Sequence, residues 1–152
     1  MKKATVVIVM LFMATMVFGQ SPVTTGSDVV SELIGLSLNQ LQNKLGSNFK
    51  IVKDGDVYMV RDYPTSAISM FTIDNQKGVT VWRFAYQNST SELSDAVYKM
   101  LLDQLTELYG KPMSFGKSQV FMSSKHPANV NHLELERLNP TLVEVTWYAT
   151  KK

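Results

Sequence analysis

The sequence predicts an α+β domain in which helices cover one face of a twisted, mostly antiparallel sheet. Three observations lead there. Residues 38–45 and 89–109 space their apolar side chains at threes and fours, and each stretch runs into a glycine. The segments after each helix alternate apolar and polar residues between turn signals such as Asp54-Gly55, Asn75-Gln76-Lys77-Gly78 and Asn139-Pro140. The two helix-plus-strand stretches also match at a constant offset of 64 positions, with Leu38, Gln40, Leu41 and Gly46 falling on Leu102, Gln104, Leu105 and Gly110.

Residues 1–19 stand apart from that domain. Lys2 and Lys3 form a positive n-region, 4–18 is an apolar run, and Val17-Phe18-Gly19 suits a signal-peptidase site. The run is shorter than the roughly 18 residues a spanning helix needs, and no cysteine follows it for lipid attachment. A cleaved signal peptide is expected, with an uncleaved anchor as the alternative. The chain would then be exported, to the periplasm or the medium, with no stable membrane insertion after the signal is removed. Loss of Lys2 and Lys3 from the 15 basic residues leaves 13 against 13 acidic ones. A neutral chain has no electrostatic footprint for nucleic acid or an anionic surface. With no cysteine, an exported chain must be stabilised by packing alone.

Residues 20–36 read as a leader or strap. Ser21 to Ser27 is turn-rich, while Val29, Val30, Leu33 and Ile34 have helical spacing that Asp28 could cap before Gly35. Residues 37–152 form one domain of two units, 37–88 and 89–152. In the first unit Ser37 is the expected N-cap of a short helix. Strands follow at 49–53 and 57–61 around Asp54-Gly55, then at 67–74 and 79–87. In the second, Ser89 and Glu92 have capping-box spacing. Leu93, Val97, Met100, Leu101, Leu105 and Leu108 make the apolar face, and Gly110 and Pro112 end the helix. Strands are expected near 118–123, 130–138 and 142–150. Self-similarity at a fixed period is the sign of a duplicated supersecondary unit.

Strand alternation assigns the faces. In the second unit Leu133, Leu135, Val143, Val145, Trp147 and Ala149 face the helices. His132, Glu134, Glu136, Glu144, Thr146, Tyr148 and Thr150 face water. Carried back by the repeat, the helix side of the first unit holds Phe71, Ile73, Val79, Val81 and Ala85. Its outer side then holds Ile68, Met70, Thr72, Trp82, Phe84 and Tyr86. So apolar an outer face is either covered by the 29–36 segment or a helix, or is a binding surface. Ile68, Met70, Trp82, Phe84 and Tyr86 are the candidate binding residues.

A tandem helix-plus-meander arrangement resembles the β-lactamase-inhibitor-like fold, in which two such units present a concave sheet to a partner. Leu38-x-x-Leu41 through Gly46, followed by Asp54-Gly55, is also similar to outer-membrane assembly lipoproteins of the SmpA/OmlA type. The helix end Tyr109-Gly110-Lys111-Pro112 and the aromatic last strand with Tyr148 resemble small exported bacterial proteins of unknown function. The chain lacks both the lipid-attachment cysteine and the inhibitor's disulfides, so no particular target is implied.

Catalytic motifs are missing: there is no G-x-S-x-G, H-E-x-x-H, P-loop or G-x-G-x-x-G, and no thiol. His132-x-Glu134-x-Glu136 places three metal-type ligands on one strand face, but an ordinary polar face is the expected reading, with no metal and no cofactor. Asp54-Gly55-Asp56 reads as a turn. No catalytic residue is expected. The function expected is that of an exported, non-enzymatic binding module for a protein or peptide partner, inhibitor-like or an envelope accessory. The alternative is a small-ligand carrier whose pocket lies between the aromatic face and the strap.

Overall fold

A computed structural model describes residues 30–46, 49–62, 68–122, 126 and 128–150. The expected signal peptide, most of the leader and the Asp28 cap lie outside the described residues. Among those described, no helix is long and apolar enough to cross a membrane.

Ser37 starts α1 (Leu38–Leu45) with a reciprocal capping box: its hydroxyl accepts from the Gln40 N–H, and the Gln40 side chain accepts from the Ser37 N–H. α2 (Ser91–Tyr109) starts one residue later than the sequence spacing suggests. Thr90, not Ser89, is the N-cap, and its hydroxyl accepts from the Leu93 N–H at 3.2 Å. Glu92 then lies in the first turn, where a carboxylate favours the positive end of the helix dipole. Gly110 ends α2 with φ 87°, and its N–H bonds to the Thr106 carbonyl at 2.8 Å. Ser94, Val97, Leu101 and Leu105 form the buried stripe of α2.

Eight strands make one antiparallel sheet in the order β1-β2-β3-β4-β8-β7-β6-β5. They are β1 (Phe49–Asp54), β2 (Val57–Asp62), β3 (Ile68–Asp74), β4 (Gly78–Gln87), β5 (Met113–Phe115), β6 (Ser118–Phe121), β7 (Val130–Asn139) and β8 (Leu142–Ala149). β5 was not expected as a strand of its own. It is three exposed residues at the sheet edge, too short for alternation to declare it. Asp74 pins the β3–β4 turn by accepting from the Gln76 and Lys77 N–H groups at 2.8 and 2.9 Å. These bonds hold its carboxyl below the usual range. Asn139 holds the β7–β8 turn by accepting from the Thr141 N–H at 2.9 Å.

Both helices and the strap lie on one side. Leu41 and Leu45 of α1, Val97, Leu101 and Leu105 of α2, and Val30, Leu33 and Ile34 of the strap share one core with the sheet. The strap is a helical turn at residues 30–33 followed by a two-bond bridge to β4. In that bridge the Gly35 N–H donates to the Val79 carbonyl and the Val79 N–H to the Leu36 carbonyl, both at 2.9 Å. At the other end of the sheet Arg137 ties β7 to α2 through Asp95 and the Ser91 hydroxyl.

The face assignment for the first unit has to be corrected. Ile73 pairs with Val79 but Thr72 pairs with Val81, so Thr80 is an extra residue in β4. Its hydroxyl lies 3.2 Å from that of Thr72. One extra residue reverses the side on which every later side chain emerges. Beyond the bulge Trp82, Phe84 and Tyr86 stand opposite Trp147, Val145 and Val143, on the helix side. Val81 and Ala85, expected inside, are on the open side with Arg83. The offset carries the second unit's alternation back without the bulge, which puts Val81, Trp82, Phe84, Ala85 and Tyr86 on the wrong side.

Candidate functional site

One ladder on the helix side explains what the aromatic residues do. Lys53, Tyr58, Phe71, Trp82, Trp147, Leu133 and Phe121 are successive cross-strand neighbours from β1 to β6. Tyr58 stacks on Phe71 at 5.1 Å and Phe71 on Trp82 at 5.2 Å, with interplanar angles of 13° and 5°. Phe84 meets the edge of Trp147 at 5.5 Å. Such pairs add roughly 0.5–1.5 kcal/mol each beyond their buried area. Trp82 is 1% exposed. It is core.

The candidate surface therefore splits. Met70 is on the open side, opposite Arg83, while Ile68 pairs with Ala85 in the backbone register and its side chain lies outside the described residues. Trp82, Phe84 and Tyr86 are on the other. Burial pushes the Tyr86 hydroxyl up to about 12, as expected of a phenol whose ionised form has lost its water.

The open side has its own ladder, one residue from each strand: Val52, Met59, Met70, Arg83, Thr146, Glu134, Val120 and Met113. Both helices and the strap belong to the core on the other side, and within this row Thr146 and Val120 are themselves buried while Met113 is exposed. Val120 is shielded yet stands outside the helix-side core, which places it among its open-side neighbours. The row is apolar at both ends and polar in the middle. Methionine suits such a surface because its unbranched, polarisable chain adapts to different partners.

The centre is held by short polar contacts. The Tyr148 hydroxyl donates to Glu134 at 3.1 Å. His132 lies flat on the Tyr148 ring at 4.4 Å, with one ring nitrogen 3.4 Å from Glu134 and the other 2.8 Å from the Asn131 amide. Burial, and then the negative charge of Glu134, raise the Tyr148 hydroxyl above its ordinary value, so it stays a donor at neutral pH. Thr146 donates to Glu144 at 3.1 Å, and Arg83 approaches Glu144 at 4.0 Å. Among the described residues no group of three or more His, Asp and Glu is placed to hold a metal ion. The arrangement offers fixed charges and hydrogen-bonding groups flanked by apolar side chains, which suits recognition.

Sequence reasoning missed Arg83, Met59, Val120 and Met113 as members of this face. One signal was present. Within β4 itself, Trp82, Phe84 and Tyr86 alternate with Arg83 and Gln87, which sets the aromatic residues inside and the arginine outside. Compared with protein-family models, with curated proteins and with solved structures, the chain matches none.

Proposed function

We propose that this chain is an exported, non-enzymatic binding module that docks a protein or peptide on the open face of its sheet. One observation carries the reading: the Val52–Met113 row crosses all eight strands on the side away from both helices and the strap, which pack on the opposite face. Interface centres favour Met and Arg in this way. An inhibitor-like or envelope-accessory role, drawn from the resemblance to families that present a sheet to a partner, would use the same face.

The repeated-unit reading belongs here too. Gly46 and Gly110 end the two helices with φ of 80° and 87°, and β4 and β8 start at Gly78 and Leu142, again 64 positions apart. The first hairpins differ, with six-residue strands in β1 and β2 but three and four residues in β5 and β6. Duplication followed by divergence of the edge hairpin accounts for both.

Export is tested by the N-terminus of the protein recovered outside the cytoplasm, expected near Gln20. Docking is tested by a photo-reactive residue at Met70 in producing cells, with Asp103 on the exposed side of α2 as control. A discrete adduct from position 70, lost with Arg83→Glu and not seen from 103, supports the reading. No adduct, or the same adducts from both positions, contradicts it.

A second reading, the small-ligand carrier, has one observation in its favour. Among the described residues the indole N–H groups of Trp82 and Trp147 are buried without a hydrogen-bond partner, on the side the strap covers. An acceptor-bearing ligand admitted by lifting the strap would satisfy them and change the fluorescence of the two tryptophans the chain contains.

A further inference from the structure

Four large apolar side chains are exposed among the described residues, and three of them belong to one hairpin at the end of the sheet. Met113 and Phe115 in β5 are 46% and 60% exposed, and Met122, directly after β6, is 60% exposed. Met113 stands opposite Val120 and Phe115 opposite Ser118, so the two β5 side chains share the open side, and Gly116 and Lys117 make the turn. The charge of this stretch is one-sided. From Leu108 to Leu133 the sequence carries Lys111, Lys117 and Lys125 but no aspartate or glutamate. Lys111 and Lys117, beyond the two ends of β5, are exposed, and among the described residues neither has an ion-pair partner. The neutral balance of the chain after residue 19 therefore conceals a local basic excess. The first carboxylates inward along the sheet are Glu134 and Glu136 on β7, and Glu134 is engaged by Tyr148 and His132. Two strand spacings separate β7 from β5, about 10 Å, which is roughly one Debye length at physiological salt. Lysines and a proline beside a short strand commonly guard a sheet edge, and that accounts for Lys111, Pro112 and Lys117. It does not account for Met113 and Phe115, because a guarded edge gains nothing from exposed apolar side chains.

We propose that this corner is a peripheral membrane contact, at which Phe115, Met113 and Met122 enter the interfacial region of an anionic bilayer while Lys111 and Lys117 meet lipid phosphates. Apolar side chains flanked by lysines match both layers of such a surface. The ring and thioethers lie at the boundary of headgroups and acyl chains, and the ammonium groups reach the phosphates on their long stems. A protein strand added to β5 is a poorer occupant, because Pro112 has no N–H to donate and three residues give little edge to pair with. The sheet approaches tilted, corner first, which keeps Glu134 and Glu136 back from the phosphates. Contact through one hairpin leaves the domain outside the bilayer, so binding is weak, reversible and sensitive to salt. Lipid contact here neither needs nor excludes a partner at the Met70–Arg83 centre of the open face.

Flotation of the purified protein with vesicles tests this. The protein should rise with vesicles of phosphatidylglycerol and phosphatidylcholine in equal parts and stay behind with phosphatidylcholine alone. Met113→Ser with Phe115→Ser, and separately Lys111→Glu with Lys117→Glu, should each weaken partitioning about tenfold or more, and salt at about 1 M should release the parent. All four positions are exposed, so neither double variant should change Tm, which separates lost binding from lost folding. Phe115→Trp adds a reporter. Its emission should shift to the blue on anionic vesicles and be quenched by brominated acyl chains, whereas the buried Trp82 and Trp147 of the parent respond to neither. No flotation with anionic vesicles, equal flotation with neutral ones, or retention undiminished in both double variants would overturn the proposal. So would a photo-reactive residue at position 115 that crosslinks to one discrete protein rather than to lipid, since the corner would then be a protein interface. The Met70 adduct reports on the docking face separately: it should persist in the Met113→Ser, Phe115→Ser variant that no longer floats.

Discussion

A Cβ on Gly78 would stand 2.3 Å from the carbonyl oxygen of Gly35, so these two residues meet backbone to backbone where the strap joins β4. Gly78 also holds φ 73°, a conformation that L side chains rarely adopt. Gly78→Ala should therefore dislodge the strap as well as strain the turn, at a cost of roughly 1–3 kcal/mol from the backbone alone. Hydrogen exchange reads this locally. The Gly35 and Val79 amides should lose protection while those of β7 keep theirs, and unchanged protection at Val79 would refute the close approach.

Thr80 is the residue the ladder can do without. Thr80→Ala removes the hydroxyl contact with Thr72 and should cost only about 0.5–1.5 kcal/mol. Deleting Thr80 should also leave the fold standing, because Val79 and Val81 then become consecutive in a regular ladder that keeps Trp82, Phe84 and Tyr86 on the helix side. Urea midpoints of the two variants check this: a deletion variant as destabilised as Trp82→Ala would mean that Thr80 is not the extra residue.

Much of the chain was legible because each signal is local. Ser37 with Gln40, the stripe Val97-Leu101-Leu105, Gly110, and the turns at Gly55 and Asn139 follow from capping, periodicity and turn chemistry within a few residues. The α+β class followed from these. The side on which Trp82 emerges did not. It depends on one unpaired residue, and parity carried over from β8 has no way to register an insertion in β4. The site was lost in the same step, since Arg83 and Met70 share a face only once Thr80 is counted as extra. β5 was missed for a different reason, because three residues held by pairing to β6 carry too little pattern of their own.

Trp82 is the centre of the aromatic ladder, and Trp82→Ala should create a cavity between Phe71 and Trp147. A loss of about 3–5 kcal/mol is expected for a buried aromatic, a large share of the roughly 5–15 kcal/mol that holds a domain folded. Near-ultraviolet circular dichroism and thermal melts would show it. A variant that melts like the parent would return Trp82 to the list of surface residues.

Alkaline pH should expose the burial of Tyr86. Its folded value of about 12 lies above the ordinary 10.0 of an unfolded tyrosine, so the folded state holds this proton more tightly. The stabilisation is complete below pH 10 and is lost as pH rises toward 12, amounting to on the order of 2–3 kcal/mol by linkage. Denaturant midpoints measured between pH 9 and 12 should fall across that window, and Tyr86→Phe should flatten the fall. An equal slope in the variant would place the titrating group elsewhere.

The chain has no cysteine, so a single introduced thiol reports one position without background. Arg83→Cys, Phe84→Cys, Ala85→Cys and Tyr86→Cys sample both sides of β4 in the stretch where the bulge decides orientation. Under native conditions a maleimide should label positions 83 and 85 and spare 84 and 86 until denaturant is added. Labelling at 84 and 86 with protection at 83 and 85 would put the aromatic residues on the open side and contradict both the core described for this protein and the docking face proposed for it.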